Sequence, residues 1–277
     1  MNHIFVDGSY FIFYRYHALK VWWKNAKKED LEDPYENEEF LEKFKTTFKS
    51  KLEEIPKKLK VNDYKNKNYK FYIGKDCPRQ EIWRMEHYPD YKSNRVGEEG
   101  SSTEKEGKII KKFFKLVYEN NMFDCIDGLM LSIPKLEADD CIGLYSQKVY
   151  KDNENDNIYI ITSDVDYLQL LNDRIHIYDL KYKEVKNSRN CFNDKYKNLF
   201  FKIVMGDKSD NIPPIFTRCG LKTVEKYFEN KDLFSKKLDE DPQYRKNLLL
   251  NTKLVSFVCI PISLKNDFYA KYFKKLF

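Results

Sequence analysis

The chain has 277 residues, of which 42% are apolar and 34% charged, and its formal net charge is +6. This length suits one large domain with a smaller appendage, and the mild positive charge is compatible with a polyanionic partner without requiring one. No two of the six cysteines have CxxC spacing, which argues against a zinc finger or a redox dithiol. With no signal-peptide pattern and no apolar run of about 18 residues, we expect an intracellular protein that does not enter a membrane.

Short apolar runs that end at polar turn residues predict strands, and longer periodic stretches predict helices. The segment 96–107 has three glycines and little apolar content, which predicts a mobile loop. In chain order, the predicted elements are a strand at 4–6, helices at 10–24 and 38–59, a strand at 69–73, a polar helix-like stretch at 79–95, helices at 108–119 and 136–149, and strands at 158–161 and 175–178.

The alternation of short strands with helices favours an α/β layer structure with a mostly parallel sheet. From residue 195 onward the pattern becomes helical, and it includes a turn-rich segment at 206–220. We therefore expect an α/β domain at 1–205 and a helical region at 206–277.

Acidic residues recur where the predicted strands end and where one predicted helix begins. The carboxyl ends of parallel strands meet at one edge of a sheet, so these acids should converge there. Crowded carboxylates repel one another, and Mg²⁺ or Mn²⁺ relieves that repulsion through oxygen ligands. Each acid alone also fits a helix N-terminus, an N-cap or a turn, but those roles do not explain the repetition. The predicted metal-binding set is Asp7, Asp76, Glu137, Asp139, Asp140, Asp164 and Asp166.

A set of this kind favours metal-assisted phosphoryl transfer. Two ions about 4 Å apart can activate a water molecule and stabilise the leaving oxygen. The four histidines are scattered, and neither a Ser-His-Asp nor a Cys-His set is evident. A covalent mechanism is therefore unnecessary.

From about residue 3 to residue 230 the sequence resembles the 5′ nucleases, which include flap endonucleases, the 5′-nuclease domain of bacterial DNA polymerase I and the phage RNase H type. Five motifs carry the resemblance as a set. They are VDGSYFIFYRYHAL at 6–19, Asp76 with Trp83-Arg84 and YKSNR at 91–95, LEADD at 136–140, TSDVDYLQL at 162–170, and GDKSDNIP at 206–213.

The resemblance implies a PIN-like catalytic domain at 1–205, with a mobile arch at about 88–107, and a helix-three-turn-helix type region after it. It adds Asp207 and Asp210 to the metal ligands and implies two Mg²⁺ ions, which Mn²⁺ could replace. By the same resemblance, Lys92 and Arg95 would steer the scissile phosphate, and Tyr91 would stack on a terminal base. The implied DNA contacts are Arg15, Arg79, Tyr91, Arg218, Gly220, Lys222 and Thr223.

Residues 212–226 resemble the family segment that holds the duplex backbone through main-chain NH groups and a helix N-terminus. The turn departs from the family pattern, with one extra residue and only Gly220 retained. The segment 96–107 carries four Glu and one Lys, so it would repel DNA unless it points outward.

The function that the resemblance implies is metal-dependent, structure-dependent 5′–3′ exonuclease or flap endonuclease activity in primer removal or repair. Its substrates would be DNA with a 5′ flap, a nick or a free 5′ end, or an RNA–DNA hybrid. Replication proteins could be partners, although the C-terminus shows no sliding-clamp peptide.

Three alternative functions differ from this one in class. A non-catalytic DNA-binding relative would be expected to have lost metal ligands, whereas here the acidic set is complete. An RNA-cutting nuclease on a PIN-like scaffold would not need the duplex-binding segment, and a small-molecule phosphatase would need neither that segment nor the basic residues at 91–95.

Overall fold

The computed structural model describes residues 1–61, 64–95 and 101–273. Across these ranges, no helix is both long enough and apolar enough to cross a bilayer.

Within the described ranges, five parallel strands form one sheet in the order β3-β2-β1-β4-β5. The central strand β1 has Ile4 opposite Phe71 of β2 on one side and opposite Tyr159 of β4 on the other. Helices cover both faces of the sheet, and the apolar residues of β1 are therefore fully buried. The strands are β1 (Asn2–Asp7), β2 (Tyr69–Gly74), β3 (Leu129–Leu131), β4 (Asn157–Ile161) and β5 (Ile175–Tyr178).

The described helices divide between the two faces of the sheet and the C-terminal region. The first, second and fourth helices share a core with Ile4 and Val6 of β1, and the fifth and tenth pack with Phe5 on the opposite face. The helices are α1 (Gly8–Lys27), α2 (Glu38–Glu53), α3 (Ile55–Lys58), α4 (Ser102–Glu119), α5 (Ala138–Asp152), α6 (Lys195–Met205), α7 (Leu221–Glu229), α8 (Lys231–Asp239), α9 (Pro242–Val255) and α10 (Ile262–Tyr272).

The predicted α/β fold with a mostly parallel sheet and a helical C-terminal region is confirmed. The helices α6 to α9 enclose their own apolar core, which includes Phe201, Phe216 and Leu254. By contrast, α10 returns to the sheet, where Phe268 packs with the residues of α5. The boundary at residue 205 stays a prediction.

Two predicted elements are wrong. The stretch 79–95 is not one helix but three short 3₁₀ turns, at Arg79–Glu81, Trp83–Glu86 and Ser93–Arg95. Pro89 lies inside this stretch, and a proline disfavours the helical conformation of the residue before it.

The predicted loop at 96–107 is also corrected. Ser101 caps α4 by accepting a hydrogen bond from the amide of Glu104, so 102–107 are helical. Residues 96–100 lie outside the described ranges. Strand β3 was not predicted, because its three residues are too few to show an alternating hydrophobic pattern.

Candidate metal centre

Carboxylates from three strands and from the start of one helix line a cavity of about 300 Å³ at the carboxyl edge of the sheet. Asp7 ends β1, Asp76 follows β2 and Asp164 follows β4, while Asp139 lies in the first turn of α5. This convergence follows from the parallel topology, in which neighbouring strands end at the same edge. We call these four residues the open half of the centre.

The carboxylates of the open half accept hydrogen bonds only from backbone amides and hydroxyl groups among the described residues. Asp7 caps α1 by accepting from the Tyr10 amide at 3.0 Å, and Asp76 accepts from the amide of Ala138 at 2.8 Å and from the Ser9 hydroxyl. Asp139 accepts from the neighbouring Asp140 amide. No ion pair in the described part of the chain includes any of the four acids, although Arg84 and Lys92 partly offset the charge of Asp139 from beyond ion-pair distance.

Burial and neighbouring negative charges raise the pKa values of two acids of the open half, Asp7 and Asp139. Burial, followed by the charge of Asp76, raises the pKa of Asp7 to about 7. Burial, followed by the charge of Asp140, raises the pKa of Asp139. A cation bound between them would favour the ionised form of both groups. The oxygen-only donor set fits a hard divalent ion.

The remaining predicted ligands have basic partners, and we call Glu137, Asp140, Asp166, Asp207 and Asp210 the paired half. Lys92 forms an ion pair with Glu137, and its ammonium group is 3.7 Å from the Asp210 carboxylate. Arg95 pairs with the other oxygen of Asp210. Burial raises the pKa of Glu137, but Lys92 and Arg84 outweigh it, so the net effect is a lowered pKa.

Lys92, which pairs with Glu137, has an unusual backbone conformation. Its φ is 57°, in the left-handed region that non-glycine residues seldom adopt. Its amide donates to the carbonyl of Asp210 at 2.8 Å, which joins the segment 91–95 to the loop that follows α6. The sequence predicted both acids and Lys92 as site residues, but it did not predict that they would pair with each other.

Lys202 of α6 lies between two acids of the paired half, with its ammonium group 2.7 Å from Asp166 and 2.5 Å from Asp207. Burial lowers the pKa of Lys202, but Asp166 and Asp164 outweigh it and raise the pKa overall, so the group stays charged. The turn that carries Asp207 depends on Gly206, whose φ of 69° favours glycine and whose added Cβ would lie 2.3 Å from the Ile212 carbonyl oxygen. A lysine inside a helix gave no sequence signal for this role.

Asp140 was predicted to be a metal ligand, but in the structure its carboxylate accepts hydrogen bonds from protein side chains. Arg84, only 1% exposed, donates to both Asp140 oxygens at 2.7 and 2.8 Å and to Glu137 at 2.8 Å. The indole of Trp83 also donates to Asp140, at 2.9 Å. Because these neighbours occupy both oxygens and the residue does not line the cavity, its metal role stays a prediction that competes with them.

The predicted base-stacking role of Tyr91 is wrong. Its ring is 2% exposed and packs in the C-terminal core, and its hydroxyl lies 3.2 Å from both Glu137 and Asp210. Stacking on a base requires an accessible ring, but the segment folds as turns that bury Tyr91. An exposed aromatic side chain instead lines the cavity at Phe13, which is 52% exposed.

The structure places the predicted DNA contacts in two settings. Arg15 lies on α1 and Arg79 in the first 3₁₀ turn of 79–95, and both are half-buried. Arg79 lies 3.5 Å from the Tyr91 carbonyl oxygen. Gly220 is the N-cap of α7, with no atom within 4 Å of an added Cβ. The exposed residues around that helix start are Arg218, Gly220, Lys222 and Thr223. Their contact with DNA stays a prediction.

The fold and the site together define an α/β protein with a carboxylate-lined cavity at the strand ends. Residues 2–197 match the family described as 5′-3′ exonuclease, N-terminal resolvase-like domain, and the chain belongs to this family.

Relatives and solved structures extend this assignment. The chain is 28% identical over 186 residues to a 5′-3′ exonuclease of Halalkalibacterium halodurans, covering 63% of this chain and 57% of the relative. It is 28% identical over 138 residues to the flap endonuclease of Escherichia phage T5, covering 47% and 46% of the two chains. The match thus spans about half the length of these relatives.

In structure, the chain is similar to the bacteriophage T5 flap endonuclease in a complex with DNA and metal ions. The TM-score is 0.67 at 19% identity, and the alignment covers 98% of this chain and 97% of the other. It is also similar to the T5 5′-exonuclease with bound divalent zinc ions, with a TM-score of 0.66, 21% identity and 98% coverage of both chains. These likenesses show that the fold is shared.

Proposed function

We propose that this chain is a metal-dependent 5′ nuclease that hydrolyses phosphodiester bonds near the 5′ ends of DNA. The observation that carries the proposal is the open half of the centre, where four acids line one cavity and none forms an ion pair with a basic residue of the described chain. Relatives named 5′-3′ exonuclease and flap endonuclease support the same activity.

The open half would hold divalent ions. The expected metal is Mg²⁺, and Mn²⁺ would be able to replace it. When bound, such ions activate a water molecule for attack on phosphorus and stabilise the leaving oxygen. Asp7, Asp76, Asp139 and Asp164 contribute a hard-oxygen donor set fixed by strand ends and by hydrogen bonds to amides. A second ion is proposed at Asp166, Asp207 and Asp210, whose oxygens lie within 4.8 Å of one another. Lys202 now offsets the charges of Asp166 and Asp207.

Lys92 and Arg95 line the cavity opposite the strand ends, and we assign the scissile phosphate to them. Both are held in place by carboxylates, which orient the cationic groups before substrate arrives. Phe13 offers an exposed ring at the cavity rim, which suits stacking on a base next to the scissile phosphate. Gly220, Lys222 and Thr223 at the start of α7 would contact the phosphates of the duplex.

The test is digestion of 5′-labelled substrates with the full chain in Mg²⁺, in Mn²⁺ and in EDTA. The panel contains flap, nicked, RNA–DNA hybrid and single-stranded substrates of the same sequence. We expect cleavage near the 5′ end of the flap and nicked DNA with either metal, and none in EDTA. Full activity in EDTA would contradict the metal mechanism. Cleavage of RNA alone would favour the RNA-cutting alternative, and binding without cleavage would favour a non-catalytic relative.

A further inference from the structure

A second cavity, of about 620 Å³, adjoins the metal centre on the side of β2 and β3. It shares Ser9, Asp76 and Phe114 with the first cavity, so the two meet at these residues. Its remaining walls come from the end of β2, from α4, from the loop after β3 and from α10. We call it the side basin. None of the site residues predicted from the sequence, other than Asp76, lines it.

The side basin and the start of α7 lie on opposite sides of the metal centre. Leu221, the first residue of α7, lines a cleft with Val165, which follows β4. From that side, the sheet order β4-β1-β2-β3 carries the acids Asp164, Asp7 and Asp76 in turn and ends at the side basin. A strand that leaves the duplex near α7 and crosses the acids would therefore arrive in the side basin.

The walls of the side basin combine positive charge with aromatic rings. The Lys75 ammonium group lies 4.5 Å from the centre of the Tyr118 ring, and Phe114 lies one helical turn before Tyr118 on α4. The Lys271 ammonium group of α10 donates to the Ser132 carbonyl at 2.8 Å. Within the described ranges, neither lysine has a carboxylate partner within 4.0 Å. Glu81 is the acid at the rim apart from Asp76, and it is exposed.

Grooves that bind single-stranded nucleic acid have this composition, since lysines contact the phosphates and aromatic rings stack on the bases. We infer that the side basin binds the 5′ single strand of DNA that continues beyond the scissile phosphate. The inference rests on the proposed 5′ nuclease function and adds the path of the displaced strand. Lys271 contacts its backbone from a helix that belongs to neither the metal centre nor the predicted duplex-binding segment.

The test compares Lys271→Gln with Lys271→Arg and with Lys265→Gln. Glutamine removes the charge but keeps a donor for the Ser132 carbonyl, whereas arginine keeps the charge. Lys265 is the matched control, because it also lies on α10 and donates to a backbone carbonyl, that of Val258, but does not line the basin. Binding is measured over a range of salt concentrations, with Ca²⁺ in place of Mg²⁺, on a nicked duplex and on the same duplex with a long 5′ DNA flap.

For the flap, we expect Lys271→Gln to lower the log–log salt slope of binding by about 0.7, the value for one lost phosphate contact on a single strand. The slope on the nicked duplex should not change, and Lys271→Arg and Lys265→Gln should match the wild type on both. An unchanged flap slope, or an equal loss on both substrates, overturns the inference. If the wild type cleaves neither substrate in Mg²⁺, the proposed function itself fails, and the inference with it.

Discussion

The open half and the paired half of the metal centre contain the same residue type in opposite electrostatic settings. In the open half, Asp7 and Asp139 accept hydrogen bonds from amides, and their pKa values are raised by burial and by neighbouring acids. In the paired half, Lys202 and Lys92 outweigh burial and lower the pKa values of Asp207 and Glu137. The difference shows which acids have basic partners in the described chain and which do not.

Asp166 lies at the junction of the two halves. Burial, and then the charge of Asp164, raise its pKa to about 7, although Lys202 is 2.7 Å away. One ammonium group shared by two carboxylates is thus not enough to offset the crowding. Asp166 resembles the paired half in having a basic partner, and it resembles Asp7 of the open half in having a raised pKa.

The largest expected effect is that of Asp139→Asn in the open half. We expect cleavage to fall by at least two orders of magnitude, because an amide replaces a buried anionic ligand. In EDTA the variant should unfold at a higher temperature than the wild type, since one of several repelling charges is gone. Mg²⁺ should raise the unfolding temperature of the wild type more than that of the variant.

The matched control is Asp232→Asn on α8, an exposed acid outside the cavity. It should leave both the cleavage rate and the Mg²⁺-dependent rise unchanged. Near-native cleavage by Asp139→Asn, with an undiminished Mg²⁺ effect on unfolding, would remove this residue from the metal centre.

In the paired half, Arg84→Met should act on stability first. The change leaves the buried carboxylates of Glu137 and Asp140 without their guanidinium partner, and breaking a buried pair in this way costs about 3–5 kcal/mol. The variant also loses the hydrogen bond to the Leu254 carbonyl, which connects the segment to α9. Urea unfolding measures the change.

Lys148→Met provides the comparison, since Lys148 pairs with Asp152 on the surface of α5. Surface pairs of this kind contribute about 0–1 kcal/mol. Similar losses in Arg84→Met and Lys148→Met would show that the buried network does not stabilise the paired half.

The next expected effect is a pH dependence of stability that comes from Asp7 of the open half. Asp7 has a pKa of about 7 in the folded chain, whereas an unfolded Asp has a pKa of about 3.9. The protonated carboxyl therefore favours the folded state, an advantage that is complete below pH about 4 and is lost as the pH rises through 7. In EDTA, the stability of the wild type relative to Asp7→Asn should fall across this window.

Adding Mg²⁺ at pH about 8 should make the wild type more stable than Asp7→Asn, because the ion binds the ionised carboxylate. Urea unfolding of both proteins at a series of pH values measures the difference between their free energies of unfolding. Groups that titrate in the same way in both proteins cancel in this difference. A difference that does not vary between pH about 4 and 7 would contradict the raised pKa.

The fold and the convergence of the open half could be predicted from the sequence. Asp7, Asp76 and Asp164 each follow a recognisable apolar strand, and parallel strands bring such positions to one edge. The acidic start of α5 is likewise visible in the sequence of Glu137 to Asp140.

The pairing of the other acids could not be predicted, because it depends on which side chains the irregular segment 79–95 buries. Nothing in the sequence distinguishes the fully buried Arg84 from the exposed Arg95. The same limit explains the error at Tyr91, because the stacking role that the resemblance implied required an accessible ring. Lys202 has no local signal either, since its two partners are 36 and 5 residues away in the chain.

The smallest expected effect concerns the substrate side of the open half. Phe13→Ala should weaken binding of DNA by about 1–3 kcal/mol, the contribution of one base stacked on an aromatic ring. Trp22→Ala is the matched control, because Trp22 is also an exposed aromatic on α1, 42% exposed, but does not line the cavity. Tyr91→Phe keeps its buried ring and loses only the hydroxyl near Glu137 and Asp210, so it should bind DNA like the wild type. Fluorescence anisotropy on a flap substrate with Ca²⁺ measures all three variants. Equal losses in Phe13→Ala and Trp22→Ala would show that the ring at the cavity rim does not contact a base. A loss confined to Tyr91→Phe would place the substrate contact in the paired half instead.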